Sequence, residues 1–127
     1  MPRFMTIIHI DEERAAEFDA DPEFGERMGA LYEEISKSGV MLDSAGLLPS
    51  AQGTRMTWEN GKVSYTDGPF TEAKEVVGGY SVIQAKDKAE ALEWARRFLE
   101  AHPEGLTLTA EVREIADDDA APCPADN

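Results

Sequence analysis

The stretch from Arg3 to Ile10 is apolar on both of its alternating faces, and this constrains the fold more than any other feature of the chain. Side chains in a strand point alternately to opposite sides. Phe4, Thr6, Ile8 and Ile10 therefore share one face, and Met5, Ile7 and His9 share the other. β-Branched and aromatic residues favour the extended form, and Asp11-Glu12 ends it. Such a strand needs cover on two sides, and a chain of 127 residues has room for one domain to supply it.

The remaining elements follow from periodicity and punctuation. A polar stretch to Asp21 leaves room for one helical turn around Arg14–Phe18. Asp21-Pro22 offers an N-cap and a first-turn proline. Phe24, Met28, Leu31 and Ile35 recur at helical spacing, Glu23–Arg27 and Glu33–Lys37 are favourable i,i+4 pairs, and Ser38-Gly39 stops the helix. Val40 to Leu48 reads as a second strand closed by Pro49-Ser50. Thr54–Trp58 and Lys62–Tyr65 flank Glu59-Asn60-Gly61, and Asn-Gly is a strong hairpin signal. Val76 to Ala85 is the next strand, with Gly78-Gly79 predicting a bulge or a close backbone approach. Asp87 caps a second helix with an apolar stripe of Ala91, Leu92, Ala95, Phe98 and Leu99, an outer pair Glu93–Arg97, and a stop at His102-Pro103. Leu106, Leu108, Ala110 and Val112 alternate with polar residues as the last strand.

The order β-α-β-(β-hairpin)-β-α-β predicts an α+β, ferredoxin-like fold in residues 1–115. Two helices cover one face of its sheet, so a second copy packed face to face is the simplest cover for the other. A homodimer is expected, its two subunits forming a dimeric α/β barrel.

Charge and composition narrow the function. There are 26 Asp and Glu against 12 Lys and Arg, a formal charge of −14. Ten of the acids lie between Asp11 and Glu34, and four lie in the last twelve residues, which leaves 22 acids outside that tail. The tail, 116–127, has no large apolar residue and predicts disorder. So acidic a chain does not suit direct nucleic-acid binding. No apolar run approaches the roughly 20 residues of a membrane span, and the expected location is the cytoplasm. Cys123 is the single cysteine, between two prolines in the tail, which excludes a disulfide framework. Two distant histidines make no zinc site and Asp117-Asp118-Asp119 makes no calcium loop, so no metal is expected. Neither a phosphate-cradling glycine loop nor a Gly-x-Ser-x-Gly elbow is present, and no cofactor is expected.

The candidates for chemistry are few. Asp67-Gly68-Pro69-Phe70 is a rigid turn in which the carboxylate can accept backbone N–H bonds. The same carboxylate, if raised in pKa by Phe70 at the mouth of a cleft, could act as a general acid or base. His9 is either an interior strand histidine or, with a carboxylate partner, a proton shuttle. His102 at a helix end reads as structural, a cation facing the helix dipole. Lys74, between Glu72 and Glu75, reads as a solvated charge cluster or as a weak attractor of a small anion.

Tyr65-Thr-Asp-Gly-Pro-Phe-Thr-Glu-Ala-Lys-Glu-Val-Val-Gly-Gly-Tyr80 closely resembles the signature of the DGPF-domain branch of the YCII-related family. Gly39-Val40, Gly46-Leu47-Leu48-Pro49-Ser50, Ala89–Ala95 and Glu111-Val112-Arg113 extend the likeness over about residues 3 to 115. The resemblance implies a dimeric α+β barrel. It also implies an association with extracytoplasmic-function sigma factors, beside which such proteins are often encoded. Some YCII-like relatives act on small organic molecules, one as a dehydrochlorinase of an aromatic substrate. The YCII branch is proposed to use a His–Asp pair with the histidine near the start of the first helix. Pro22-Glu23-Phe24-Gly25 has no histidine there, and Ala45 stands where many DGPF relatives have Glu. What carries over is Asp67, Gly68, Pro69, Phe70, Glu72, Lys74, Glu75 and Gly79-Tyr80.

The leading expectation is a ligand-sensing or accessory protein, with a small-molecule cleft bordered by His9, the Asp67–Phe70 turn, Glu72, Lys74 and Tyr80. The rival is an isomerase or lyase on a small aromatic or lactone-like molecule, with Asp67 as base and His9 assisting. A plain interaction module is the third reading.

Overall fold

The computed structural model describes residues 1–14, 22–70 and 75–117. The elements are β1 (Arg3–Ile10), α1 (Phe24–Ser38), β2 (Met41–Gly46), β3 (Thr54–Glu59), β4 (Lys62–Asp67), β5 (Val76–Gln84), α2 (Lys88–Glu100) and β6 (Leu108–Glu114). Four strands form one sheet in the order β2-β5-β1-β6, antiparallel at every pairing, and β3-β4 stand apart as a two-stranded hairpin. This is the ferredoxin-like arrangement that the element order predicts.

β1 is central and pairs along its whole length with β5 on one side and β6 on the other. Register then fixes what lies on each face. On the helix-covered side one row is Ile83–Phe4, the next is Ser44–Ser81–Thr6–Val112, and the third is Gly46–Gly79–Ile8–Ala110. The first row holds the core. Phe4 and Ile83 are each 2% exposed and pack with Ile35, Ala85 and Ala91, with Val40, Met41, Trp94 and Val112 around them. On their β2–β5 side the other two rows carry only Ser44, Ser81, Gly46 and Gly79, and packing there is open, while Val112 on β6 packs against the core.

Local chemistry explains the element ends. α2 begins where Asp87 accepts the Glu90 N–H at 2.9 Å, as its cap position predicts. α1 ends at Gly39, whose φ of 73° favours glycine. Its expected cap, Asp21, lies outside the described residues, and Glu23 at the helix start makes no side-chain cap bond. The hairpin turns through Asn60 (φ 53°) and Gly61 (φ 77°) with Glu59 paired to Lys62, a tighter loop than the three-residue one predicted. Gly78 sits in a bulge opposite Ile8 and His9, and an added Cβ there would meet Ile10 at 2.7 Å. Gly79 has the Ala45 carbonyl 2.9 Å from where its Cβ would be, so both readings of the glycine pair hold.

Several expectations need correction. Leu92 is 47% exposed and does not belong to the buried stripe of α2. Glu93 pairs with Arg96, which also reaches Glu100 at 2.6 Å, while Arg97 makes a two-pronged contact with Glu34 on α1 at 2.6 and 2.7 Å. The outer i,i+4 pair is thus replaced by a clamp between the helices, and its hydrogen bonds hold the Glu34 carboxyl below its ordinary range. Asp117 accepts from Arg3 at 2.8 Å. Residues 118–127 of the expected tail, most of the expected turn at Arg14–Phe18, and Cys123 lie outside the described residues.

Truncating Phe4, the largest side chain in the packed row, removes the main filler of the core. Phe4→Ala is expected to lower stability by about 3–5 kcal/mol, read from urea unfolding followed by circular dichroism.

Candidate functional site

Two concavities flank the sheet. The first is an apolar cavity of about 250 Å3 between the sheet and the helices. Its floor is the small-residue rows, Ser44–Ser81 and Gly46–Gly79 with Thr6 and Ile8, and its roof is Phe24, Leu31, Tyr32 and Ile35 of α1 with Trp94, Ala95 and Phe98 of α2. The cavity lies where Ser44, Ser81, Gly46 and Gly79 leave the β2–β5 half of the sheet without large side chains beneath the helices. Its few polar groups include Thr6, the Tyr32 hydroxyl 3.3 Å from Ser44 Oγ, and His102.

His102 is held between two rings, 4.9 Å from Phe24 and 4.8 Å from Phe98, with Nδ1 2.9 Å from the Phe98 carbonyl. Burial pushes its pKa down despite that bond, which corrects the expectation of a cation at the helix end. Apolar packing outweighs the dipole here.

The second concavity is a broader cleft of about 620 Å3 at the end of the sheet. It brings together His9, Phe70, Arg55 and Glu75 with the loop Leu47–Pro49 and Val76–Val77. His9 and Phe70, distant in sequence, thus share one cleft. His9 Nε2 lies 3.2 Å from Glu111 Oε1 on the neighbouring strand, a carboxylate partner that spacing alone does not identify. Arg55 lies over the Phe70 ring at 4.1 Å. Tyr80 is on the open face of the sheet, where it donates to Asp43 at 3.2 Å. The adjacent Asp43 charge raises its pKa, and the hydrogen bond adds to that.

Asp67 does not line that cleft. It ends β4 and accepts from Thr54 Oγ1 at 2.9 Å across the hairpin base. Gly68 and Pro69, joined by a cis peptide, carry the chain from there to Phe70. Glu72 and Lys74 lie outside the described residues.

Sequence reading missed the node that holds this turn. Ser50, 9% exposed, donates its N–H to Glu12 at 2.6 Å and its hydroxyl to the other Glu12 oxygen at 2.5 Å, and Phe70 N–H points at its Oγ at 3.4 Å. Gly68 donates to the Gly53 carbonyl at 2.9 Å and presses so close to Ser50 that an added Cβ would overlap the Ser50 carbonyl oxygen. Glu12 and Ser50 are 38 residues apart, and only the fold juxtaposes them. Among the described residues no three His, Cys, Asp or Glu side chains converge in a way that could hold a metal ion.

A ferredoxin-like domain with an added hairpin and an apolar cavity between sheet and helices is the class that fold and site define. Residues 3–117 match the YCII-related domain, and the chain belongs to that family. An uncharacterized protein of Rhizobium meliloti (strain 1021) is 30% identical over 89 residues, 70% of each chain. No helix among the described residues is long and apolar enough to cross a membrane.

Two measurements check this geometry. Gly68→Ala forces the turn away from Ser50 and is expected to cost about 3 kcal/mol, read from chemical unfolding. For His102 the folded pKa lies below its ordinary 6.5, so unfolding exposes a ring that binds protons more readily. Stability is full above pH 6.5 and is lost as pH falls towards the folded value. A fall in Tm between pH 7.5 and 5.5 is therefore expected, and a shallower one in His102→Phe.

Proposed function

We propose that this chain is a ligand-binding protein of the DGPF type, a sensor or accessory subunit whose ligand is a small, largely apolar molecule. The observation that carries this reading is the cavity between sheet and helices. Its volume, about 250 Å3, exceeds the roughly 150 Å3 in which an apolar cavity already takes up benzene. Its lining is aromatic and aliphatic with a few polar groups to orient a guest, as small-molecule sites generally are.

The working form in this proposal is a homodimer joined through the open face of the sheet. Met5, Ile7 and Val82 form an apolar centre there, beside the polar pairs His9–Glu111 and Tyr80–Asp43. Association with a sigma factor rests on the resemblance alone.

A second reading is favoured by the His9–Glu111 pair: an acid/base enzyme, an isomerase or lyase on a small aromatic or lactone-like molecule, with His9 rather than Asp67 inside the cleft. Its distinguishing result is solvent deuterium incorporated into a lactone by the native chain and not by His9→Gln.

Indole, a neutral aromatic of suitable size, tests the first reading. At about a hundredfold excess over Kd it is expected to raise Tm by about 5–10 °C and to shift amide resonances of α1 and β5. Ala95→Leu, which fills the cavity from α2, is expected to abolish both effects while keeping the native circular dichroism. An unchanged Tm and spectrum in the native protein would overturn the reading.

A further inference from the structure

The β3-β4 hairpin carries four exposed large apolar side chains, and neither the core nor the cavity uses them. Register places Met56 opposite Tyr65 and Trp58 opposite Val63, so these four side chains form one strip on one face. They are 62%, 66%, 73% and 46% exposed. The other face carries Arg55, Thr57, Glu59, Lys62, Ser64 and Thr66, and turns Arg55 into the cleft at the hairpin's base.

A continuous exposed apolar face marks an interaction surface. Of the other large apolar side chains that stand exposed, Leu47 (51%), Leu48 (75%) and Val77 (42%) all rim that same cleft. We propose that the hairpin is an exchanged arm: its apolar strip packs on the rim of this cleft in a second copy of the chain, and the reciprocal contact closes a two-fold dimer. Each cleft is then walled by Trp58 and Tyr65 of the partner, and in a lone chain the site is incomplete.

Charge and area choose a second copy as the occupant. A chain of charge −14 repels its own copies, and their contact is least opposed at a surface with no net charge of its own. The hairpin is such a surface, since Arg55 and Lys62 balance Glu59 and Asp67. At roughly 150–250 Å2 for each aromatic side chain, the strip alone offers on the order of 500 Å2. A stable interface needs about 800 Å2 from each partner. The strip therefore requires the cleft rim as well, and an arm that meets a partner's rim while its own rim receives the partner's arm doubles the contact at no cost in new surface.

The inference rests on the homodimer proposed above, and the experiment separates the two. Sedimentation velocity of the native chain is expected to give twice the 14.0 kDa protomer mass. Trp58→Ser combined with Tyr65→Ser is expected to raise the dimer Kd at least tenfold, with far-ultraviolet circular dichroism unchanged. In a Trp94→Phe background, where Trp58 is the one remaining tryptophan, emission is expected to shift to the red on dilution through the Kd. A double variant as dimeric as the native chain, or Trp58 emission independent of dilution, overturns the exchanged arm and leaves the sheet-face dimer standing. If the native chain is monomeric at 100 μM, both fall. Ile7→Asp, placed on the open sheet face, reports on the sheet contact separately.

Discussion

Everything in this fold hangs on the backbone pairing of β1. It is hydrogen-bonded on both edges, to β5 and to β6, and its register sets which side chains meet on each face of the sheet. Because the side-chain period of a strand is two, a slip of one residue would turn Phe4 out to solvent and bury His9 under the helices. The eight residues of β1 thus place the packed row, the cavity rows and the polar pairs of the open face in a single act. Downstream of it, Glu12 reaches from the strand's end to Ser50 and so ties the hairpin base and the Phe70 turn to the same element.

The cavity and the cleft are products of different physics. The cavity is a packing deficit, written in small residues on β2 and β5 beneath an α1 that is tethered by the Arg97–Glu34 clamp and by Arg27, which donates to the Ala101 carbonyl at 2.8 Å. The cleft is shaped by polar bonds, in which the Glu12 carboxylate, Ser50 and backbone groups fix the turn, although Leu47, Leu48 and Val77 give it an apolar rim. The cavity is lined by apolar side chains, and the cleft presents an imidazole, a guanidinium and the Glu75 carboxylate.

Much of the fold was legible in the sequence, because its signals are local. Alternation marks β1 and β6, Asp87 and Gly39 mark helix ends, and Asn60-Gly61 marks the hairpin. What was hidden depends on distance. Leu92 satisfies the helical spacing of a buried stripe, yet α2 presents it to water. Arg97 has a partner at the right interval in Glu93, but Glu34 on the other helix offers both its oxygens. His102 at a helix end suggests a cation, and only the rings of Phe24 and Phe98 show that burial wins. Of the candidate site residues, His9 and Phe70 line one cleft, while Asp67 faces Thr54 and the Glu12–Ser50 node leaves no trace in spacing.

The glycine pair of β5 divides the cavity wall into a fixed half and an adjustable half. Gly79 has the Ala45 carbonyl where a side chain would begin, so it does not tolerate growth, whereas Gly78 meets only the side chain of Ile10, which can shift. Ala95 and Leu31 of the roof are under no such backbone constraint, and Ser81 is a floor residue of β5 with a side chain to vary. Divergence among chains of this kind should therefore change the volume and polarity of the chamber from the helices downward. The sheet beneath would keep its shape while the chamber above it changes.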